Sequence, residues 1–130
     1  MERGQRRILN YGHTAGHAIE RAAGYGAVLH GEAVAWGMAV AARIGRALGT
    51  CDDAFVTWQD DLLRSYGLLM PLPPLHGDDV LDAIRLDKKS ASGRIHWVLP
   101  RQAGEAIITP DVPWRLVVET VTWLVHTACA

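Results

Sequence analysis

The sequence predicts a mostly α domain, built of several helices with one small β-hairpin, and three observations carry that expectation. Apolar residues recur at steps of three and four along most of the chain; glycine, aspartate and proline stand where helices would start and stop; and only the stretch between residues 94 and 109 reads as strand. At 130 residues, 49% of them hydrophobic, the chain can bury one core and is expected to form a single domain over 1–130.

The elements follow in order. Val34, Met38, Ala41, Ile44 and Leu48 mark an amphipathic helix over Gly31–Leu48, closed by Gly49. Gly37, Ala39, Ala41 and Ala42 make it a small-residue helix that another backbone could approach closely, so it should be central and packed. Asp52 or Asp53 caps a helix running to about Tyr66, with Phe55, Trp58, Leu62 and Leu63 inward and Gly67 ending it. Pro71, Pro73 and Pro74 make Met70–Leu75 a connector. Gly77, Asp78 and Asp79 open a shorter helix through Leu86, with Val80, Leu81 and Ile84 inward and Asp87, Lys88 and Lys89 at its end, where cations are favoured. After a turn at Ser90–Gly93, Arg94–Leu99 alternates as a strand with Ile95, Trp97 and Leu99 on one side, and Ala106–Thr109 is its hairpin partner. Asp111 and Pro113 start a last helix carrying Val117, Val121, Leu124 and Val125.

Composition excludes several functions. A formal net charge of -1 argues against a nucleic-acid partner. The apolar stretches are broken by Arg43, Arg46 or His126, short of the roughly 20 residues that span a bilayer, so no membrane segment is expected. Arg6 and Arg7 are followed by no apolar signal core. Cys51 and Cys129 lack metal or disulfide-scaffold spacing, which fits a reducing cytoplasm.

The chemical signal lies in the first quarter, where His13, His17 and His30 each adjoin a glycine. His13 and His17 are four apart, so a helix after Gly12 would project both imidazoles from one face, where one metal or one anion could meet them. His30 precedes the small-residue helix, whose first N–H groups favour anions. Histidine pairs at this spacing are also common as surface or hydrogen-bonded core residues, and spacing alone leaves both readings open. Glu32 reads as a first-turn acid placed by the helix dipole, not as a ligand. His76, His96 and His126 read as structural or surface residues.

Glu2, Gly4 and Arg6, then LNYGHTAGHAIE at residues 9–20, Tyr25, and LHGEAVAWGM at 29–38 closely resemble the C-terminal domain of the 3-dehydroquinate synthases, a sugar phosphate cyclase family. Asp87, Lys88 and Lys89, followed by Gly93 to Pro100 and by Gly104, extend the likeness over nearly the whole chain. The resemblance implies that His13 and His30 are two of three protein ligands to a catalytic zinc or another divalent metal such as Co2+. It implies further that His17 and Asn10 are catalytic positions contacting the phosphate end of the substrate, and that Arg6 meets its carboxylate. One of Lys88 and Lys89 would also hold phosphate; a solvated helix-end cation is the other reading of each. Zinc with three protein ligands keeps a position open for substrate oxygens, and arginine suits a carboxylate.

By the same resemblance, the substrate is 3-deoxy-D-arabino-heptulosonate 7-phosphate and the products are 3-dehydroquinate and phosphate, in the shikimate route to aromatic amino acids. NAD takes and returns a hydride across the elimination of phosphate. The NAD-binding domain and a third, glutamate zinc ligand precede this region in the family, and no dinucleotide fingerprint stands here: Gly12 and Gly16 fall within the histidine motif. The chain alone is therefore expected to be inactive and to need an NAD-binding domain in cis or trans, with a family-like homodimer possible. The alternatives are an inactive remnant or metal- and phosphate-binding module, and a related cyclase with another sugar phosphate.

Overall fold

The computed structural model describes residues 11–24, 26–90, 93–101 and 104–129, with Lys88 to Ser90 described by backbone alone. Among these residues the order is α1 (His13–Ala23), α2 (His30–Leu48), α3 (Asp53–Ser65), α4 (Gly77–Ser90), β1 (Trp97–Pro100), β2 (Ala106–Thr109) and α5 (Trp114–Ala128). The expected mostly α domain with one hairpin is what forms.

The small-residue helix is central, as its composition predicts: α1, α3, β1 and α5 all pack on α2, and α4 closes against α1 and α5. Ala33, Val40 and Ile44 are fully buried in a core that includes Ile19, Ile84, Leu99 and Leu124. Burying a valine, leucine or isoleucine side chain contributes roughly 1.5–3 kcal/mol. α2 ends at Gly49 in the left-handed region (φ 83°), where a side chain would be strained.

Asp52, of the two candidate caps, is the one that acts: its Oδ1 accepts from the Phe55 N–H at 2.9 Å. The inward face of α3 differs from expectation. Leu63 is buried, but its companions are Val56, Gln59 and Asp60, while Trp58 and Leu62 are 48% and 40% exposed and Phe55 is half-buried. The reason is polar. Asp60 accepts from Arg43 on α2 at 2.6 and 3.3 Å, and Gln59 donates to the Met38 carbonyl at 3.1 Å, so α3 turns its acid and amide toward α2. The Arg43 guanidinium also lies 3.8 Å over the Trp123 ring.

The proline-rich connector is tied down at both ends of its middle section. Trp36 donates its indole N–H to the Met70 carbonyl at 2.8 Å, and the Leu72 N–H donates to Ala128 at 2.8 Å. α4 runs to Ser90, beyond the expected end at Leu86, so Asp87 to Lys89 lie inside the helix and Ser90 is not yet turn. β1 is shorter and later than Arg94–Leu99, pairing antiparallel with β2 from Trp97↔Thr109 to Pro100↔Ala106. All four of its residues are buried rather than alternating, and the strand packs against α2. On α5, Val117, Val121 and Leu124 are buried as expected, with Val125 half-buried. His76, His96 and His126 are exposed, and Cys51 and Cys129 are free thiols. No helix among the described residues is long and apolar enough to cross a membrane.

Candidate metal and anion site

The site is made by a crossing of two backbones. Gly12 sits at φ 82°, a left-handed conformation suited to glycine, and starts α1. The preceding Tyr11 is anchored: its hydroxyl donates to the Gln59 side-chain oxygen and lies 3.3 Å from the Met38 carbonyl. Burial pushes this phenol far above its usual range. Where α1 crosses α2, Gly37 presents no side chain; a β-carbon there would lie 2.7 Å from the Gly16 nitrogen and closer still to the Gly12 carbonyl oxygen. The two helices therefore touch main chain to main chain, and the first turn of α1 is held beside the first turns of α2.

That contact assembles the histidines. The His13 and His17 rings stack with centroids 5.3 Å apart and planes 9° off parallel, and His30, from the start of α2, stands 5.7 Å from His13 and 6.2 Å from His17. Burial, with the neighbouring His17 and His30, lowers the His13 pKa, a shift that favours the neutral imidazole. The structure thus brings all three motif histidines to one corner.

Glu20 joins them unannounced. Its Oε1 lies 2.8 Å from His30 Nδ1, with the carboxylate side chain 16% exposed and the ring 60% exposed. The signal was present in the sequence, since Glu20 follows His13 by seven and His17 by three and so shares their helical face. Glu32 remains the first-turn acid of α2.

Beside the histidines opens a cavity of about 370 Å³ lined by His17, Glu20, Arg21, His30 and, from α4, Ala83, Leu86 and Asp87. The helix end that carries Lys88 and Lys89 is therefore at the cavity wall, although their side chains lie outside the described residues, as do Arg6 and Asn10. Among the described residues no three His, Cys, Asp or Glu side chains form a ready-made metal cluster. Imidazole is a donor suited to a divalent metal such as zinc or cobalt, and the corner gathers three of them. A larger cavity of about 750 Å³, with Arg85, Trp97 and Trp114 in its walls, contains none of the histidines.

The same architecture occurs in sugar phosphate cyclase-like synthases. A 2-deoxy-scyllo-inosose synthase complexed with carbaglucose-6-phosphate, NAD+ and Co2+ superposes with a TM-score of 0.78 at 31% identity, over 88% of this chain and 34% of its own. The 2-epi-5-epi-valiolone synthase of Streptomyces hygroscopicus subsp. jinggangensis 5008, with NAD+ and Zn2+ bound, gives 0.76 at 28%, over 92% of this chain and 33% of its own. The chain belongs to the 3-dehydroquinate synthase C-terminal family, whose sequence model matches residues 1–90. The 3-dehydroquinate synthase of Acidithiobacillus ferrooxidans strain ATCC 53993 is 44% identical over 93% of this chain and 33% of its own length. That of Xanthomonas campestris pv. campestris strain 8004 is 45% identical over 92% and 34%. The chain spans about a third of the length of these relatives.

Proposed function

We propose that this chain is the metal- and substrate-binding part of a 3-dehydroquinate synthase, a phosphate-eliminating lyase that converts 3-deoxy-D-arabino-heptulosonate 7-phosphate to 3-dehydroquinate in the cytoplasm. The observation that carries this is the convergence of His13, His17 and His30 at the α1–α2 crossing, beside a cavity walled by the end of α4. Identities of 44–45% to 3-dehydroquinate synthases, against 28–31% to the inosose and valiolone synthases, support the dehydroquinate substrate over other sugar phosphates.

His13 and His30 would hold the metal with a ligand from outside the described residues. When bound, the metal supplies Lewis-acid polarisation of the substrate hydroxyl, and NAD, held by a further domain, supplies hydride acceptance and return. The chain's own part is binding and proton placement. His17 is exposed on the cavity wall, where its ring can donate to a phosphate oxygen and hold a proton as phosphate departs. Asn10 would join it at the phosphate end. Lys88 or Lys89 would add a cation there, and Arg6 would take the carboxylate in a bidentate grip. An NAD-binding domain in cis or trans completes the catalyst, which by family analogy is a homodimer.

The test is complementation in vitro. Mixed with the NAD-binding domain of a family member, Co2+ or Zn2+ and the heptulosonate phosphate, the chain should release inorganic phosphate, and His13→Ala should abolish it. Failure to release phosphate when the chain is fused in frame behind that domain would refute the assignment.

A further inference from the structure

We propose that Glu20 is a positioning residue that fixes His30 as its Nδ1–H tautomer, leaving Nε2 as the lone pair offered to the metal. The inference rests on the reading of His30 as a metal ligand and adds to it a residue that the ligand set does not contain.

The argument begins with hydrogen-bond chemistry. An ionised carboxylate accepts and cannot donate, so a Glu20 oxygen 2.8 Å from His30 Nδ1 requires the proton to be on Nδ1. A neutral imidazole carries one N–H, and with Nδ1 engaged its only free lone pair is on Nε2. Left to solvent, a neutral histidine side chain favours the opposite tautomer, with the proton on Nε2. His30, with 60% of its side chain exposed and standing at the first position of α2, has little packing of its own to reverse that preference.

Glu20 is suited to reverse it. It is far less exposed than its partner, at 16%, and belongs to α1, the helix that also carries His13 and His17. Because α1 and α2 touch at Gly12, Gly16 and Gly37, the carboxylate is delivered across the crossing by main-chain contact rather than by a flexible loop. The spacing His13, His17, Glu20 thus places on one helical face a ligand, an anion-binding ring and the group that orients the ligand contributed by the other helix. Carboxylates in this role fix the ring and raise its basicity toward a metal, and their removal typically weakens metal binding about 10–100-fold.

The test uses the whole chain with two readouts. In metal-free protein, 15N correlation spectra of the His30 ring should show the proton on Nδ1; Glu20→Ala should move it mainly to Nε2. Glu20→Gln, whose amide oxygen can still accept, should retain the Nδ1 proton. In a Co2+ titration followed by absorption, with the chain fused behind the preceding part of a family member that brings the third ligand, Glu20→Ala should bind about 10–100-fold more weakly than wild type, with Glu20→Gln between them. A wild-type ring protonated on Nε2, or a Glu20→Ala ring unchanged from wild type, overturns the role of Glu20. Unchanged Co2+ affinity in Glu20→Ala overturns it too. A wild-type chain that keeps the Nδ1 proton yet binds no Co2+ even when fused behind the preceding part of a family member, which brings the third ligand, instead overturns the metal reading on which the proposal rests. The tautomer and the titration therefore separate the two failures.

Discussion

Gly37→Ala tests whether the site depends on backbone contact. The added β-carbon would lie 2.7 Å from the Gly16 nitrogen and 2.9 Å from the Gly12 carbonyl carbon, distances that real β-carbons essentially never show, and the obstructing atoms are main chain. No rotamer change relieves it, so α1 must move away from α2. Overpacking of this kind costs about 1–3 kcal/mol, occasionally more. Alanine recovers roughly 0.5–1 kcal/mol of helix preference over glycine, and the net loss should still be about 1–2 kcal/mol. Gly31→Ala is the matched control in the same helix: nothing lies within 4 Å of its β-carbon, so helix preference alone should act, leaving the chain as stable or slightly more so. Urea unfolding followed by tryptophan fluorescence gives both midpoints. The displacement of α1 should also separate His13 and His17 from His30 and weaken Co2+ binding. If Gly37→Ala unfolds at the same urea concentration as Gly31→Ala, the two helices do not meet main chain to main chain, and the account of how the corner is assembled fails.

Asp60→Ala leaves Arg43, only 15% exposed, without its carboxylate and should cost about 3–5 kcal/mol by denaturant unfolding; replacing both partners by apolar residues should cost less than removing one. Tyr11→Phe should lose about 1 kcal/mol at neutral pH through its hydroxyl bonds. It should also flatten the alkaline side of the stability curve. Burial raises the folded pKa of Tyr11 above its ordinary value of 10.0, so the unfolded chain gives up this proton first. The stabilisation is complete below about pH 10 and fades as pH rises, and a wild-type slope no steeper than that of Tyr11→Phe would count against the buried phenol. Asp52→Ala should lose about 1 kcal/mol of thermal or urea stability as a lost helix cap, whereas Asp53→Ala, at a side chain 88% exposed, should lose less; equal losses would contradict the capping assignment.

Much of the fold could be read in advance because it is local. The three-four periodicity of α2 and α5, the glycine after α2 and the aspartate before α3 each act within a turn or two of their own position, so pattern and outcome agree. The histidine motif was likewise legible, and its spacing correctly put His13 and His17 on one face. Long-range partners account for the differences. Phe55, Trp58 and Leu62 form the more apolar stripe of α3, yet Gln59 and Asp60 face inward because Tyr11, Met38 and Arg43, 17 to 48 residues away in sequence, satisfy them. The alternation expected in β1 is absent because its burial is set by tertiary packing, including that against α2.

The residue types at the corner are legible along the chain: two histidines one helical turn apart, a third at a helix start, and glycines around them. That they meet is a consequence of long-range packing. His30 reaches His13 and His17 because Gly37 lets α1 rest against α2 with no side chain between them, and Glu20 reaches His30 through the same crossing. A glycine's missing atom leaves no periodicity to read, so its effect is visible only when the second backbone is in place.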